Sequence, residues 1–238
     1  GENKEQCRNS LDQVFRLHAD HLQLGTLKIL PGTPLRKQAK DLGYCWDRNP
    51  PYEVICHPSM QFRELTRFKH YAEMLERLWN SGYLVSTLTR LISNHFHDRV
   101  TECFDALLEQ TAESIARDNL QPDRLFDLVT TFLNPILKRD RLLMELLLWD
   151  YSKFSMVNSK TPTLIAQTLT NGITVKVEGR RRPVLTLSAE ALNIINRRRL
   201  KKLEPGQYVV WPRQHKKGKP LSIIQINQQE CQTRSQIV

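Results

Sequence analysis

Hydrophobic side chains recur along this chain at changing intervals, and each change of interval marks a change of predicted element. Cys7, Leu11, Val14, Phe15 and Leu17 stand at helical intervals within residues 3–17. Over residues 21–30 the pattern shortens to two, with Leu22, Leu24 and Thr26 on one side, and predicts a strand. Pro31, Gly32 and Pro34 stop it, and residues 35–42 predict one short helix before Gly43. Helix, strand, loop and helix make up an α/β unit. Prolines at 50, 51 and 58 predict an extended crossing over residues 47–58.

A helical block follows. Ser59 is placed to cap a helix whose stripe is Phe62, Leu65, Phe68, Ala72, Leu75 and Trp79, ending at Asn80, Ser81 and Gly82. Residues 83–96 and 103–115 carry comparable stripes. Pro122 suits the first turn of a helix bearing Leu125, Phe126, Val129, Phe132 and Leu133. Residues 142–149 are apolar nearly all round, which predicts a helix through the centre of a bundle. After Gly172 the interval returns to two. Ile173, Val175 and Val177 predict a strand, residues 178–183 a turn, and 184–187 the return of a hairpin. Ser188 caps a helix through Leu192 and Ile195, which Pro205 and Gly206 end. Residues 208–211 and 221–226 read as strands joined by the loop 212–220, and 228–238 as a polar tail. The predicted class is α+β, a helical bulk with a small ββαββ module at the C-terminal end.

Charge sharpens this picture. The 35 Lys and Arg against 25 Asp and Glu give a formal +10. Residues 172–220 hold 13 basic and three acidic side chains, so this segment carries the whole excess and the remainder is balanced. The shift, with Pro162 beside it, suggests a boundary near residues 159–172. No run approaches the roughly 18 apolar residues of a membrane helix, so no membrane partner is expected. The chain opens without Met and without a secretory pattern, which suggests a fragment or a processed chain. The five cysteines lie at least eleven residues apart. That spacing implies no disulfide framework, excludes close thiolate clusters for zinc or iron–sulfur centres, and points to a reducing cytoplasm.

One phrase carries a family signal. Gly1-Glu2, a helix, and then His21-Leu22-Gln23-Leu24-Gly25-Thr26-Leu27-Lys28-Ile29-Leu30-Pro31-Gly32-Thr33-Pro34-Leu35 resembles the last strands of a radical S-adenosylmethionine barrel. More narrowly it resembles the cobalamin-binding subgroup, whose core is followed by an uncharacterised helical domain. Pro51-Tyr52-Glu53-Val54, the helix to Gly82, and Leu147-Leu148-Trp149-Asp150-Tyr151 are similar to that domain. The resemblance covers roughly residues 1–155. Together with the charge boundary it divides the chain into a short α/β barrel remnant (1–46), a helical domain (47–160) and a basic β-rich module with its tail (161–238), which no family motif covers. It implies S-adenosylmethionine and a four-iron four-sulfur cluster in the parent enzyme, and leaves the use of cobalamin open. This sequence has neither the three-cysteine motif for the cluster nor the Asp-x-His-x-x-Gly that ligates cobalamin. The chain is therefore expected to hold no cofactor by itself, to be inert alone, and to partner a missing N-terminal part. An incomplete barrel end also exposes strand edges, so self-association is expected.

By that resemblance Gly25 and Lys28 become candidate cofactor-binding residues, Gly25 for close backbone approach and Lys28 for an anionic group. The alternatives are a bulge glycine and a solvated lysine. Glu2 is set aside as a terminus. The pairs His95/His97 and Cys56/His57 suit a metal by type but not by spacing, and Cys103 and Glu73/Glu76 read as a buried thiol and a solvated face. The basic segment offers a second function class. Arg180, Arg181 and Arg182 in a turn, Arg197, Arg198, Arg199, Lys201 and Lys202 at a helix end, and Lys216, Lys217 and Lys219 in a loop flank Tyr208 and Trp211. Cations beside aromatics grip phosphates and stack bases, which makes RNA or another polyanion the alternative partner. A solvated face and a purely structural helical scaffold remain the bland readings.

Overall fold

A computed structural model of the chain describes residues 2–154, 158–177, 180–198, 202–211 and 222–226. The class is α+β with a helical bulk and small antiparallel sheets. The chain forms two compact units. Gly1–Ser81 with Phe96–Asp118 makes the first, and Gly82–His95 with Asn119–Val238 the second. The charge shift near residues 159–172 therefore falls inside the second unit, where helix α9 is found instead of a linker.

In the first unit α1 (Lys4–Phe15) starts at Asn3, whose side chain accepts from the Gln6 N–H at 3.0 Å while Gln6 reaches back to the Asn3 N–H at 2.9 Å. The expected strand over 21–30 does not form a ladder. Burial does alternate there, with Leu22, Leu24 and Thr26 more covered than their neighbours, but pairing is confined to one antiparallel bridge between Lys28 and Glu53. A short helix, α2 (Pro34–Gln38), is capped by Thr33. The stretch expected to be a plain crossing instead holds a two-stranded sheet, β1 (Cys45–Trp46) against β2 (Val54–Cys56). Val54, Ile29 and Ala39 form a small core there with Leu35, Tyr44, Trp46 and Leu65 packed on it. Gly43 makes the preceding turn at φ +72°, with the Pro58 ring 2.8 Å from where a Cβ would stand, so no other residue fits.

Helix α3 (Phe62–Met74) is capped by Gln61 and Glu64, not by Ser59. The reason is local: His57 and Met60 still exchange two backbone hydrogen bonds of 3.0 Å, so the chain cannot turn helical before residue 61. The stripe shifts accordingly. Phe62 is exposed, and the buried side is Phe68, Tyr71, Met74, Leu75, Leu78 and Trp79. The last six residues, Leu75–Asn80, widen into a π-helical turn in which the Ser81 N–H bonds to Glu76 O at 3.0 Å, and Gly82 at φ +79° stops it. Helix α5 (Val100–Gln110) ends earlier than its stripe suggested. Ala112 and Glu113 adopt φ of 47° and 63°, and α6 (Ser114–Arg117) restarts after them.

The second unit is built round α8 (Arg141–Phe154), whose Leu143, Leu146, Leu147, Trp149 and Tyr151 are all buried, as its all-round apolar pattern predicts. Helices α4 (Val85–His95), α7 (Pro122–Leu137) and α10 (Ala189–Ile195) pack on it. Tyr83, Phe126, Tyr151 and Phe154 form a ring cluster with centroids 5.0–6.4 Å apart. Helix α9 (Thr163–Thr170) follows, its approach held by Tyr151 Oη and Thr161 Oγ1 at 2.7 Å. Ser188 caps α10 as expected. The C-terminal strands differ from the expected ββαββ. β3 (Thr174–Val177) pairs with β4 (Arg180–Pro183), while β5 (Leu185–Leu187) joins β6 (Gly206–Trp211) and β7 (Ser222–Ile226) in a second, three-stranded sheet. No helix among the described residues is long and apolar enough to cross a membrane.

Candidate functional site: a groove in the first unit

The groove forms where the extended segment 22–28 runs beside α3 and the β1–β2 hairpin. Asn80, at the end of the π turn, fixes that segment's start. Its side-chain oxygen accepts from the Leu22 N–H at 3.0 Å and its amide nitrogen donates to Leu22 O at 2.9 Å. The neighbouring Trp79 donates its indole N–H to Ala19 O at 2.9 Å and packs on Phe15. The other end is held at the hairpin, where Leu27 O accepts from the Val54 N–H and the Ile29 N–H donates to Tyr52 O, both at 2.9 Å. Between these anchors no backbone hydrogen bond among the described residues closes on Gln23, Leu24, Gly25 or Thr26. The segment thus presents a row of open N–H and C=O groups, the condition of a strand at a sheet edge.

The groove encloses about 790 Å³. Leu24, Val54, Met60, Leu65 and Phe68 give it apolar walls, and Lys28, His57, Lys69, Glu53, His70 and Glu73 its polar ones. Lys69 Nζ lies 2.6 Å from Glu53 Oε2 in a half-exposed pair. His70 is 9% exposed, and its Nδ1 has no hydrogen-bond partner, the nearest carboxylate oxygen being Glu113 Oε1 at 3.8 Å. Burial lowers its pKa against the pull of Glu113, which keeps the imidazole neutral at pH 7. Behind the helix, Asp105 gathers the Tyr71 hydroxyl and an Arg8 N–H, each at 2.6 Å. Burial and that carboxylate raise the Tyr71 phenol above its ordinary range, so it serves as a fixed donor. Cys7, also on the groove, is pushed up to about 11 by burial and by Glu2.

Gly25 and Lys28 both line this groove, and so does Glu2, which sequence reasoning set aside. A Cβ built on Gly25 meets nothing within 4 Å, so the glycine opens space that neither the fold nor a positive φ requires. The cations of the second unit are not brought together in the same way. Arg180, Arg181 and Arg182 lie in β4 and not in a turn, because the return strand starts three positions after Val177. Arg182 stands opposite Val175, which packs on Val209 and Ile226, and is only 5% exposed. Tyr208 is a core residue, 1% exposed, and its hydroxyl donates to Glu204 O, so its ring is not free to stack on a base. Lys202 is exposed and donates to Asn196 O, while Arg197 and Arg198 form a 3₁₀ turn after α10. Arg199, Lys201, Lys216, Lys217 and Lys219 lie outside the described residues, and of Trp211 only the backbone, in β6, is described.

His95 is committed elsewhere. Its Nε2 lies 2.9 Å from Asp140 Oδ2, beside Arg90 Nε at 3.1 Å. Burial opposes the charge on Asp140, but hydrogen bonds from His95, the Leu143 N–H and Arg90 outweigh it and hold the carboxyl below its ordinary range. Among the described residues no group of three or more His, Cys, Asp and Glu side chains is placed to hold a metal ion. Sequence reasoning missed His57 and His70 as groove residues. For His70 the sequence offers only its place two positions after Phe68, outside the predicted stripe.

No curated protein matches the chain. Residues 40–186 match a family described as a protein of unknown function, DUF4080, a span that runs from just after α2 through β1, β2, α3 to α9, β3 and β4 into β5. More than half of the sequence lies in that match, and the chain belongs to the DUF4080 family.

Proposed function

We propose that residues 1–155 form the substrate-side part of a radical S-adenosylmethionine enzyme, with the groove of the first unit receiving the cofactor. The observation that carries the reading is the segment 22–28. It has the alternating burial of a strand, an unpaired backbone from Gln23 to Thr26, and Gly25 and Lys28 on one groove. Its sequence is also the phrase that resembles the end of such a barrel. The uncharacterised family matched over 40–186 agrees with the position at which that resemblance expects an uncharacterised helical domain.

The residues present fit one of the implied groups and not the others. For S-adenosylmethionine, Lys28 would pair with the carboxylate, the open N–H and C=O groups of Leu24 to Thr26 would meet the adenine edge, and Gly25 would admit the ring. When bound, that cofactor supplies a sulfonium whose carbon–sulfur bond is cleaved on reduction. The chain's own part is to orient it and, through the apolar walls, to exclude water. An iron–sulfur cluster does not fit, for want of closely spaced cysteines, and cobalamin finds no ligating motif. The proposal leaves the cluster to another segment of the same polypeptide, keeps the chain inert alone, and sets it in a reducing cytoplasm.

Equilibrium dialysis of S-adenosylmethionine against the longer polypeptide that carries the cluster tests the site. Saturable binding that weakens at least tenfold in Lys28→Ala and in Gly25→Leu is expected, and binding indifferent to both would overturn it. Anaerobic expression of the longer coding sequence tests the enzyme. Iron, a visible cluster spectrum and 5′-deoxyadenosine formation are expected, and their absence would leave a scaffold.

A second reading rests on the concentration of +10 in residues 172–220. RNA or another polyanion would then bind through the cations without the Tyr208 ring, which is buried. Its affinity should fall steeply between two salt concentrations, and lack of binding at low salt removes it.

A further inference from the structure

The β1–β2 hairpin sets two cysteines directly opposite each other. Cys45 pairs with Cys56 and Trp46 with Val54, so Ile55 is the extra residue of a bulge. Simple alternation would put Cys56 on the same side as Val54, facing the small core. The inserted residue turns it over to the side of Cys45. Cys45 is exposed and Cys56 half-buried, both as free thiols.

Residues directly opposite in an antiparallel pair have Cα atoms about 4.5–5.5 Å apart, inside the ~4.4–6.8 Å that a disulfide spans. That register brings the two thiols within interaction range, and Cys45 raises the Cys56 thiol above its ordinary value. The other thiols of this unit are poorly placed. Cys103 is fully buried and its thiol raised by burial, and Cys7 is held up by burial and Glu2. Among the described residues the two thiols have no third ligand beside them, and a pair alone does not make a metal site.

We infer that Cys45 and Cys56 are a modification site, a dithiol that closes to a reversible cross-strand disulfide with a low-molecular-weight disulfide such as oxidised glutathione as the oxidant. The exposed Cys45, as thiolate, attacks one sulfur of the small disulfide, whose S–S bond breaks and releases one thiol. Cys56 then loses its proton and attacks the Cys45 sulfur, forming the Sγ–Sγ bond and expelling the second thiol. Two electrons pass from the protein pair to the oxidant, and the two protons end on the two released thiols. The bond ties the hairpin where Tyr44 and His57, ring centroids 5.4 Å apart, border the groove. It therefore fixes the groove's rim.

The test is peptide mapping of the whole chain after equilibration in buffers of reduced and oxidised glutathione, with free thiols trapped by alkylation. A Cys45 peptide joined to a Cys56 peptide, two mass units lighter than the sum of the reduced pair, is expected, lost again on reduction, with Cys103 alkylated throughout. In Cys56→Ser the resolving thiol is gone, and Cys45 should carry a stable glutathione adduct. Separate adducts on Cys45 and Cys56 in the unsubstituted chain, unmodified thiols on both across the buffer range, or a bridge to Cys7 would each overturn the inference. Because the readout is covalent and needs no cofactor, its failure is distinct from failure of the groove's proposed ligand.

Discussion

The two units finish a helix with the same device in different surroundings. In the first, Asp12 of α1 accepts from the N–H and hydroxyl of Thr101 at the start of α5, at 2.9 and 3.1 Å. In the second, Asp150 of α8 does the same for Thr87 at the start of α4, both at 2.8 Å. Each carboxylate meets N–H groups that a helix cannot satisfy itself, at the positive end of its dipole. The countercharges differ. Arg99 approaches Asp12 at 3.5 Å from a half-exposed position, whereas Lys153 lies 2.8 Å from an Asp150 that is entirely buried. Asp12 keeps slight exposure and pairs with an arginine open to solvent, while the fully buried Asp150 pairs with a lysine that is less exposed.

Substitution should separate the two caps. Asp150→Ala strands the buried N–H and hydroxyl of Thr87 and removes the partner of Lys153, and should cost about 3–5 kcal/mol, read from urea denaturation. Asp12→Ala should cost less, about 2–3 kcal/mol, since Arg99 can turn to solvent. Equal losses would show that burial of the countercharge is not what distinguishes the units. Next in size, Asn80→Ala removes both bonds to Leu22 and should cost about 1–2 kcal/mol, with faster amide hydrogen exchange over residues 22–28 and none of that change in the second unit.

The acid limb gives a further contrast. The folded pKa of Asp140 lies below its unfolded value, so the stability it adds is full above the unfolded carboxylate range and drains as pH falls through the depressed folded value. The difference between the unsubstituted chain and Asp140→Asn should therefore shrink towards low pH, and a difference that grew instead would reverse the assignment. Smallest of all, Gly25→Ala should change stability by no more than ~0.5 kcal/mol, because its Cβ enters open space. A large loss there would mean that the glycine serves the fold and not the groove.

Legibility in the sequence followed the range of the forces involved. α8 could be read from its own residues because an all-round apolar helix has one destination, and the Ser188 cap because it acts over three positions. The β1–β2 pairing could not, since it depends on a bulge at Ile55 that no alternation announces. The α3 stripe slipped because Met60 is still engaged in a bridge to His57. Alternation at Leu22, Leu24 and Thr26 was correct for burial yet overstated the ladder, because hydrogen bonds need a neighbour as well as a pattern. Gly25 and Lys28 are singled out through a resemblance, and folding places both on the groove that His57 and His70 also line.

The two buried caps also bear on how the chain assembles. Thr87 receives its carboxylate from 63 positions away and Thr101 from 89. Helix α4, rich in Ser and Thr, cannot complete its first turn until α8 has docked, nor α5 until α1 has. Local propensity alone does not carry these segments through nucleation, so α4 and α5 should form together with the packing that caps them, and not ahead of it.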